Sequence, residues 1–281
     1  MMWGEQAGSE LVGQVGELLG RTARTVILPA YRNLAVDEVS EKAPGELVTV
    51  VDRRAEEVLT VELSRLLPGS TVVGEEAVDA DRALLARIDT DELVWLVDPL
   101  DGTGNYASGE GPFAVMVALR RGQRTEAGWI LDPQAGSLAV ACAGAGTWLD
   151  GRRVRLPAGS SPARELRGAS MTRFLPAELV DRLRAGAHRL GEVLPGQHCA
   201  AAEYRDILLG RLHFVLFWRT LPWDHTAGVL LVEEAGGMAR RLDGSPYHPS
   251  DGRTGLLVAA NAEIWRVVHD ALLAAGPPTS R

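Results

Sequence analysis

Residues 93–97 read Leu-Val-Trp-Leu-Val, and the chain continues Asp98-Pro99-Leu100-Asp101-Gly102-Thr103-Gly104-Asn105-Tyr106. A short apolar run rich in valine and tryptophan reads as a buried strand. Two carboxylates therefore leave the end of a core strand three residues apart, with a proline between them and a Gly-Thr-Gly turn behind. Charges at the mouth of a buried strand restrict the fold to one in which that strand end opens onto a loop-lined cleft. The residue types suit a hard cation, which takes oxygen ligands and keeps part of its shell for water and substrate phosphate.

The chain has 281 residues, enough for one large domain or two closely packed ones. A formal net charge of -8 with no block of Lys or Arg argues against nucleic acid and anionic membranes as partners. Cys142 and Cys199 are far apart and form no Cys-x-x-Cys pattern, so neither a disulfide framework nor a zinc site is expected. The N-terminus carries Glu5 and Glu10 and does not read as a signal peptide. No stretch of about 18 apolar residues is present to span a membrane. These features point to a cytoplasmic protein.

Apolar spacing predicts a helix over 9–30, ending near Pro29, and a second over 50–67, closed by Pro68-Gly69. Strands are expected at 71–73, 93–97, 113–119, 126–131 and 137–142, the last joined to 146–149 by a turn at Ala143-Gly144-Ala145. Beyond residue 160 the pattern gives strands near 166–171, 212–218 and 254–259. It gives helices near 176–190, 200–209, 224–235 and 262–274. Loose alternation with several hairpins predicts a mixed α/β or α+β layered architecture. The Pro/Gly/Ser-rich stretch 157–162 is the expected boundary between an N-terminal half, 1–156, and a C-terminal half, 157–281.

The chemistry-bearing residues stand at element ends. Glu75 follows one strand, Asp98 and Asp101 another, and Asp224 opens a later helix; the Leu100 carbonyl lies between the two aspartates. Four carboxylates crowded together repel and raise one another's pKa, a penalty that a bound cation inverts. The Gly102 and Thr103 amides could hold phosphate if a helix begins there. The Thr103 hydroxyl could orient an attacking water, with Asp52 accepting its proton or fixing its direction. Each residue also has a plainer reading. Asp52 lies three residues after Thr49 and could complete a capping box; Asp224 could be an N-cap; Glu75-Glu76 could be a solvated turn. His225 is the histidine best placed to touch a substrate, with a structural role as its default.

At these residues the sequence resembles the inositol monophosphatase family of magnesium-dependent, lithium-sensitive phosphatases. Trp95 to Tyr106 looks like the family's first motif, and Pro222-Trp223-Asp224-His225-Thr226-Ala227-Gly228, running on to Gly237, looks like its second. Gly74-Glu75-Glu76 and Leu47 to Asp52 match two further blocks in order, so the likeness covers roughly residues 10 to 270. The resemblance implies a layered α-β-α-β-α sandwich, of the inositol monophosphatase and fructose-1,6-bisphosphatase type, and a homodimer. It implies two or three Mg²⁺ ions. One would sit on Glu75, Asp98 and the Leu100 carbonyl, a second on Asp98, Asp101 and Asp224, and a weaker third on Glu75 and waters. Glu75, Asp52 and Thr103 would serve catalysis, Gly102 and Thr103 would bind phosphate, and Lys42 would match a basic residue near the metal.

The departures concern the substrate. Inositol-specific members place a glutamate where this chain has Phe217, followed by Trp218 and Arg219. The Gly-Ser/Thr-Ala-Ala block of the family reads His198-Cys199-Ala200-Ala201, which puts Ala200 at the substrate. An aromatic residue cannot accept hydrogen bonds from a polyol. Phe217 and Trp218 suit a flatter leaving group such as a nucleoside, or else are buried strand residues. The expected activity is hydrolysis of a small soluble phosphate monoester. The alternatives are a 3'-phosphonucleotide, histidinol-phosphate or fructose-1,6-bisphosphate substrate and, in another class, a non-catalytic regulatory member.

Overall fold

The computed structural model describes residues 5–273 apart from 160 and 172. The extreme ends of the two expected halves, one residue of the 157–162 boundary and the last residue of the helix expected at 262–274 lie outside the described residues.

A hairpin of β1 (Val39–Ala43) and β2 (Glu46–Thr49) precedes the main sheets. The larger sheet holds β3 (Thr71–Gly74), β4 (Leu93–Asp101), β5 (Ala114–Arg121), β6 (Arg124–Asp132), β7 (Ser137–Cys142), β8 (Gly146–Leu149) and β9 (Arg152–Val154) in that order. β3 runs parallel to β4 and the other pairs are antiparallel. The second sheet contains β10 (Arg167–Ser170), β11 (Glu192–Pro195), β12 (Phe214–Phe217), β13 (Met238–Arg241) and β14 (Leu256–Ala259), ordered β11-β10-β12-β14-β13.

Strand period dictates the layers. Successive side chains point to opposite faces, so Trp95 and Val97 bury on one side of β4 while Val94 and Leu96 bury on the other. Burial on both faces explains why β4 is a continuous apolar run and not an alternating one. The Trp95 face, with Val115, Val117 and Trp129, is covered by two helices. The first, α1, runs Glu5–Thr22, widens into a π turn over Ala23–Ile27 and ends with Leu28–Ala30. Pro29 has no N–H to return to the Thr25 carbonyl, so the expected single helix loses its regular ladder just before its end. The second is α2 (Val50–Leu66), which presents Val51, Ala55, Leu59 and Leu63 to the sheet.

Between the two sheets lie α6 (Ala200–Leu208) and α7 (Pro222–Glu234), numbered after the outer α3 (Glu75–Ala80), α4 (Thr103–Ser108) and α5 (Ala177–Ala187). Every residue from His225 to Val232 in α7 is buried, as a helix enclosed on all sides requires. Beyond the second sheet, α5 packs on α8 (Ala262–Leu272), and the Gly186 hydrogen of α5 faces the Ala271 carbonyl with no room for a Cβ. The order is helices, sheet, helices, sheet, helices. This is the expected layered sandwich.

Small residues set how close α7 lies to the large sheet. A Cβ at Gly128 of β6 would stand 3.0 Å from the Ala227 Cα and 3.2 Å from its carbonyl oxygen. On the other side, Gly228 leaves no space for a Cβ beneath the Tyr204 ring. Both contacts fall within four residues of Asp224.

The polar hairpin β1–β2 and short strands β9, β11 and β13 carry too little apolar periodicity to be read from sequence. The helix expected from 224 begins at Pro222, because proline fits the first helical position, where an N–H is dispensable. Asp224 is therefore in the first turn and is not the N-cap, which is Leu221.

Gly128→Val overfills the contact with Ala227 and is expected to cost about 1–3 kcal/mol. Urea unfolding measures this. A variant as stable as the parent would show that α7 is not seated through this glycine.

Candidate active site

β4 ends in a bulge. Asp98 pairs with Met116 and Asp101 with Ala114, so three steps on β4 oppose two on β5. In a regular strand residues three apart point to opposite faces; the extra residue brings Asp101 back toward the side of Asp98. Pro99 cannot donate to the ladder at this point, and the Leu100 N–H turns to Asp98 Oδ1 at 2.9 Å.

Oxygens of Glu75, Asp98 and Asp224 all lie within 4.8 Å of one another. They come from the first residue of α3, the end of β4 and the first turn of α7. Among the described residues no donor hydrogen-bonds the Asp224 carboxylate. The three groups are acceptors without enough donors, which is the donor set a hard cation needs, and they fit Mg²⁺. Asp101 is close but engaged differently. Its Oδ2 accepts from the Ala201 N–H at 2.6 Å and faces the Cys199 thiol at 3.2 Å, leaving Oδ1 outside those contacts.

Glu75 is held in place by residues that are not themselves in the cluster. Glu56, buried on the core face of α2, accepts the Glu76 and Ala77 N–H groups at 2.8 Å each and so caps the start of α3. Gly74 lacks the Cβ that would strike the Glu56 carboxylate. Lys42 of β1 binds Glu75 at 3.3 Å and also pairs with Glu76. The resemblance matched Lys42 to a basic residue near the metal and at the substrate; in the structure its ammonium pairs with these two acids. Glu56 was missed, although it lies one helical turn after Asp52 on the same buried face.

Asp52 performs its capping role and more. Its Oδ2 accepts the Thr49 N–H at 2.9 Å, and the Thr49 hydroxyl accepts from Asp52 N at 3.4 Å, which closes the capping box, and from Val51 N at 3.1 Å. Its Oδ1 takes the Thr103 hydroxyl at 2.9 Å. That hydroxyl is also 3.0 Å from the Leu100 carbonyl, yet has one proton to give. Gly102 precedes α4 in the left-handed region at φ 85°, and a Cβ there would meet the Pro112 carbonyl at 2.8 Å.

Glu75, Asp98, Asp101, Asp224, Gly102 and Thr103 share a cleft of about 380 Å³, lined also by Ala200, Phe217, Trp218, Arg219, Phe174, Arg173 and His198. Phe217 borders the cleft but is only 2% exposed. Its ring stacks on Tyr204 at 5.2 Å and meets the edge of His225 at 4.7 Å. His225 is a strut: a carbonyl only accepts, so Nε2–H donates to the Arg219 oxygen at 3.1 Å and Nδ1 accepts from the Tyr204 hydroxyl at 2.9 Å. Burial pushes its pKa down to about 3, so the ring is neutral.

Burial, followed by the charges of Glu75, Asp101 and Asp224, drives Asp98 far above the ordinary carboxylate range. Burial and then Glu75 and Asp101 do the same to Asp224. Glu75 rises to about 7, chiefly by burial and against the opposing pull of Lys42. Burial lifts Asp52 to about 6 despite its Thr49 and Thr103 hydrogen bonds.

Fold and site together define a class: a five-layered α/β protein with an acidic pocket where its strands and helices begin and end. The sequence profile of the inositol monophosphatase family matches residues 10–276, and the chain belongs to that family. It is 32% identical over 246 residues to the inositol-1-monophosphatase of Mesorhizobium japonicum, covering 84% of this chain and 86% of the relative. It is 30% identical over 257 residues to the Nus factor SuhB of Escherichia coli, covering 88% and 90%. The crystal structure of the extragenic suppressor protein suhB from Bartonella henselae superposes with a TM-score of 0.80 at 25% identity, over 95% of this chain and 100% of that one. No helix among the described residues is long and apolar enough to cross a membrane.

Carboxyls with raised native pKa values bind more protons folded than unfolded, so their contribution to stability falls as pH rises from about 4 to about 7. The metal-free protein is expected to lose melting temperature from these groups between about pH 5 and about pH 8, and millimolar Mg²⁺ to restore more of it at the higher pH. Thermal melts with Mg²⁺ or EDTA measure both. Equal Mg²⁺ stabilisation at the two pH values would contradict this account of the cluster.

Proposed function

We propose that the protein is a Mg²⁺-dependent phosphomonoesterase that hydrolyses a small soluble phosphate ester. The observation that carries this reading is the convergence of Glu75, Asp98 and Asp224 beside the Asp52–Thr103 pair. In it, Glu75, Asp98 and the Leu100 carbonyl hold one cation, and Asp98, Asp101 and Asp224 hold another. When Thr103 donates to Asp52, the Leu100 carbonyl keeps its lone pairs for this purpose. A bound divalent cation supplies Lewis acidity and lowers the pKa of its water.

The chain's own residues supply position and proton transfer. The Thr103 oxygen orients the attacking water, and Asp52 accepts its proton through that hydroxyl. With a pKa near 6, Asp52 is largely ionised at neutral pH yet basic enough to serve. The water oxygen bonds to phosphorus as the ester P–O bond breaks, and the leaving oxygen departs on the Asp224 side. The Gly102 and Thr103 amides hold the phosphate oxygens. A homodimer and a cytoplasmic location belong to the same proposal, as implied by the family.

A regulatory role without catalysis is the second reading, because relatives carry the name Nus factor. A regulatory surface gives no reason to set the buried Asp98 and the half-buried Asp224 against each other's charge, so the catalytic reading is preferred.

Phosphate release from a panel of inositol, sugar, nucleotide and amino-alcohol phosphates, with Mg²⁺ or EDTA, tests the proposal. Asp224→Asn is expected to lower kcat by about 100-fold or more. No Mg²⁺-dependent release on any substrate would overturn the enzyme reading. The wild-type rate is expected to climb as pH rises through about 6, following Asp52 ionisation. Millimolar Li⁺ is expected to inhibit, since the ligand set matches that of lithium-sensitive relatives; rates unchanged in Li⁺ would remove that part of the family resemblance.

A further inference from the structure

We infer that the outer rim of the cleft is a subsite for a second anionic group of the substrate, bound by Arg173 and Arg219. This rests on the phosphatase reading of the inner site and names the class of ester it takes. The Arg219 guanidinium lies 4.5 Å from the Phe174 ring centroid and that of Arg173 lies 5.2 Å from it, so two cations share one ring. Both guanidiniums are cationic, so positive charge gathers around this ring. Glu46 of the hairpin pairs with Arg219, whereas Arg173 has the Gly45 carbonyl for its partner. One carboxylate against two guanidiniums leaves positive charge at the mouth of a cleft whose inner end is acidic.

The hydrogen-bonding character of the rim is equally one-sided. A guanidinium has donors and no acceptor, in a planar fork that matches phosphate or carboxylate oxygens. Glu46 is already engaged. A polyol hydroxyl both donates and accepts, whereas an anionic group only accepts, and the rim offers donors and an aromatic face. The base of Arg219 is fixed, because its carbonyl is held by the neutral His225, which Tyr204 locks in turn. His198 also lines the cleft. It adopts φ 57°, a left-handed conformation that is uncommon for a residue other than glycine. The Gln197 N–H, donated to the buried Glu203 at 2.7 Å, and the Cys199 contact with Asp101 hold it there.

The test compares ligands that share a skeleton and differ by one phosphate: glucose 1,6-bisphosphate against glucose 1-phosphate, and adenosine 3',5'-bisphosphate against adenosine 3'-monophosphate. With Mg²⁺ present, the ratio of bisphosphate to monophosphate is read as kcat/KM where phosphate is released and as Kd by titration calorimetry where it is not. The wild type is expected to favour the bisphosphate of at least one pair by about tenfold or more. Arg173→Gln, at an exposed position, is expected to remove most of that preference, and Glu46→Gln, which frees Arg219, to increase it. The pair showing the larger ratio tells whether a sugar or a nucleoside carries the second charge. Ratios within about twofold of one for both pairs, or a preference that survives in Arg173→Gln, would overturn the inference. Absence of turnover would count against the phosphatase reading alone, since the Kd ratio still decides the subsite.

Discussion

Mutual repulsion among buried and half-buried carboxylates is the constraint on which the rest of the structure depends. Glu75, Asp98 and Asp224 come from three separate elements, and nothing in their own chemistry draws them together. Each must therefore be fixed by its scaffold. Asp98 is set by the β4 bulge and Pro99, Glu75 by the Glu56 cap on α3, and Asp224 by the seating of α7 on Gly128. The apolar layers on both sides of the large sheet supply the rigidity. The same burial that makes the cluster costly would favour a cation there, because raised carboxylate pKa values and cation affinity would have one cause.

Charge is divided along the cleft. The inner end is acidic, and the outer end carries two arginines against one glutamate. The β1–β2 hairpin joins the two ends through opposite signs: Lys42 answers Glu75 and Glu76, and Glu46 answers Arg219. The hairpin has little apolar surface of its own, so these polar contacts, with Arg173 on the Gly45 carbonyl, do much to seat it. Its position over the cleft is thereby tied to the charge state of both ends.

The parts of this arrangement that were legible in sequence are those with a local cause. The strand 93–97, the helix 50–67 and the Asp98–Asp101 pair follow from apolar periodicity and turn chemistry within a few residues. So does the Thr49–Asp52 capping box. The rest depends on long-range packing. Glu56 looks like an ordinary helix glutamate until α3 is placed above it. Lys42 and Glu46 sit on a polar hairpin with no apolar stripe to betray it. Arg173 and Phe174 lie in a connection after β10 and reach the cleft only because β12 and α7 bring Arg219 beside them. His225 stands next to Asp224 in sequence, yet its ring packs edge-on against Tyr204 and Phe217.

Asp52 shows why stability and chemistry cannot be assigned to separate residues here. One carboxylate oxygen closes the start of α2 and the other orients Thr103. The cap fixes the carboxylate against rotation, so the hydroxyl it holds has a defined direction without a dedicated support. Its burial raises the pKa to about 6, which brings the group into the range useful for proton transfer. A residue serving only as a cap would gain from full solvation and a low pKa. One serving only as a base would gain nothing from the Thr49 N–H. The observed environment is a compromise between the two, and it places the start of a core helix and the proposed nucleophile under the control of a single side chain.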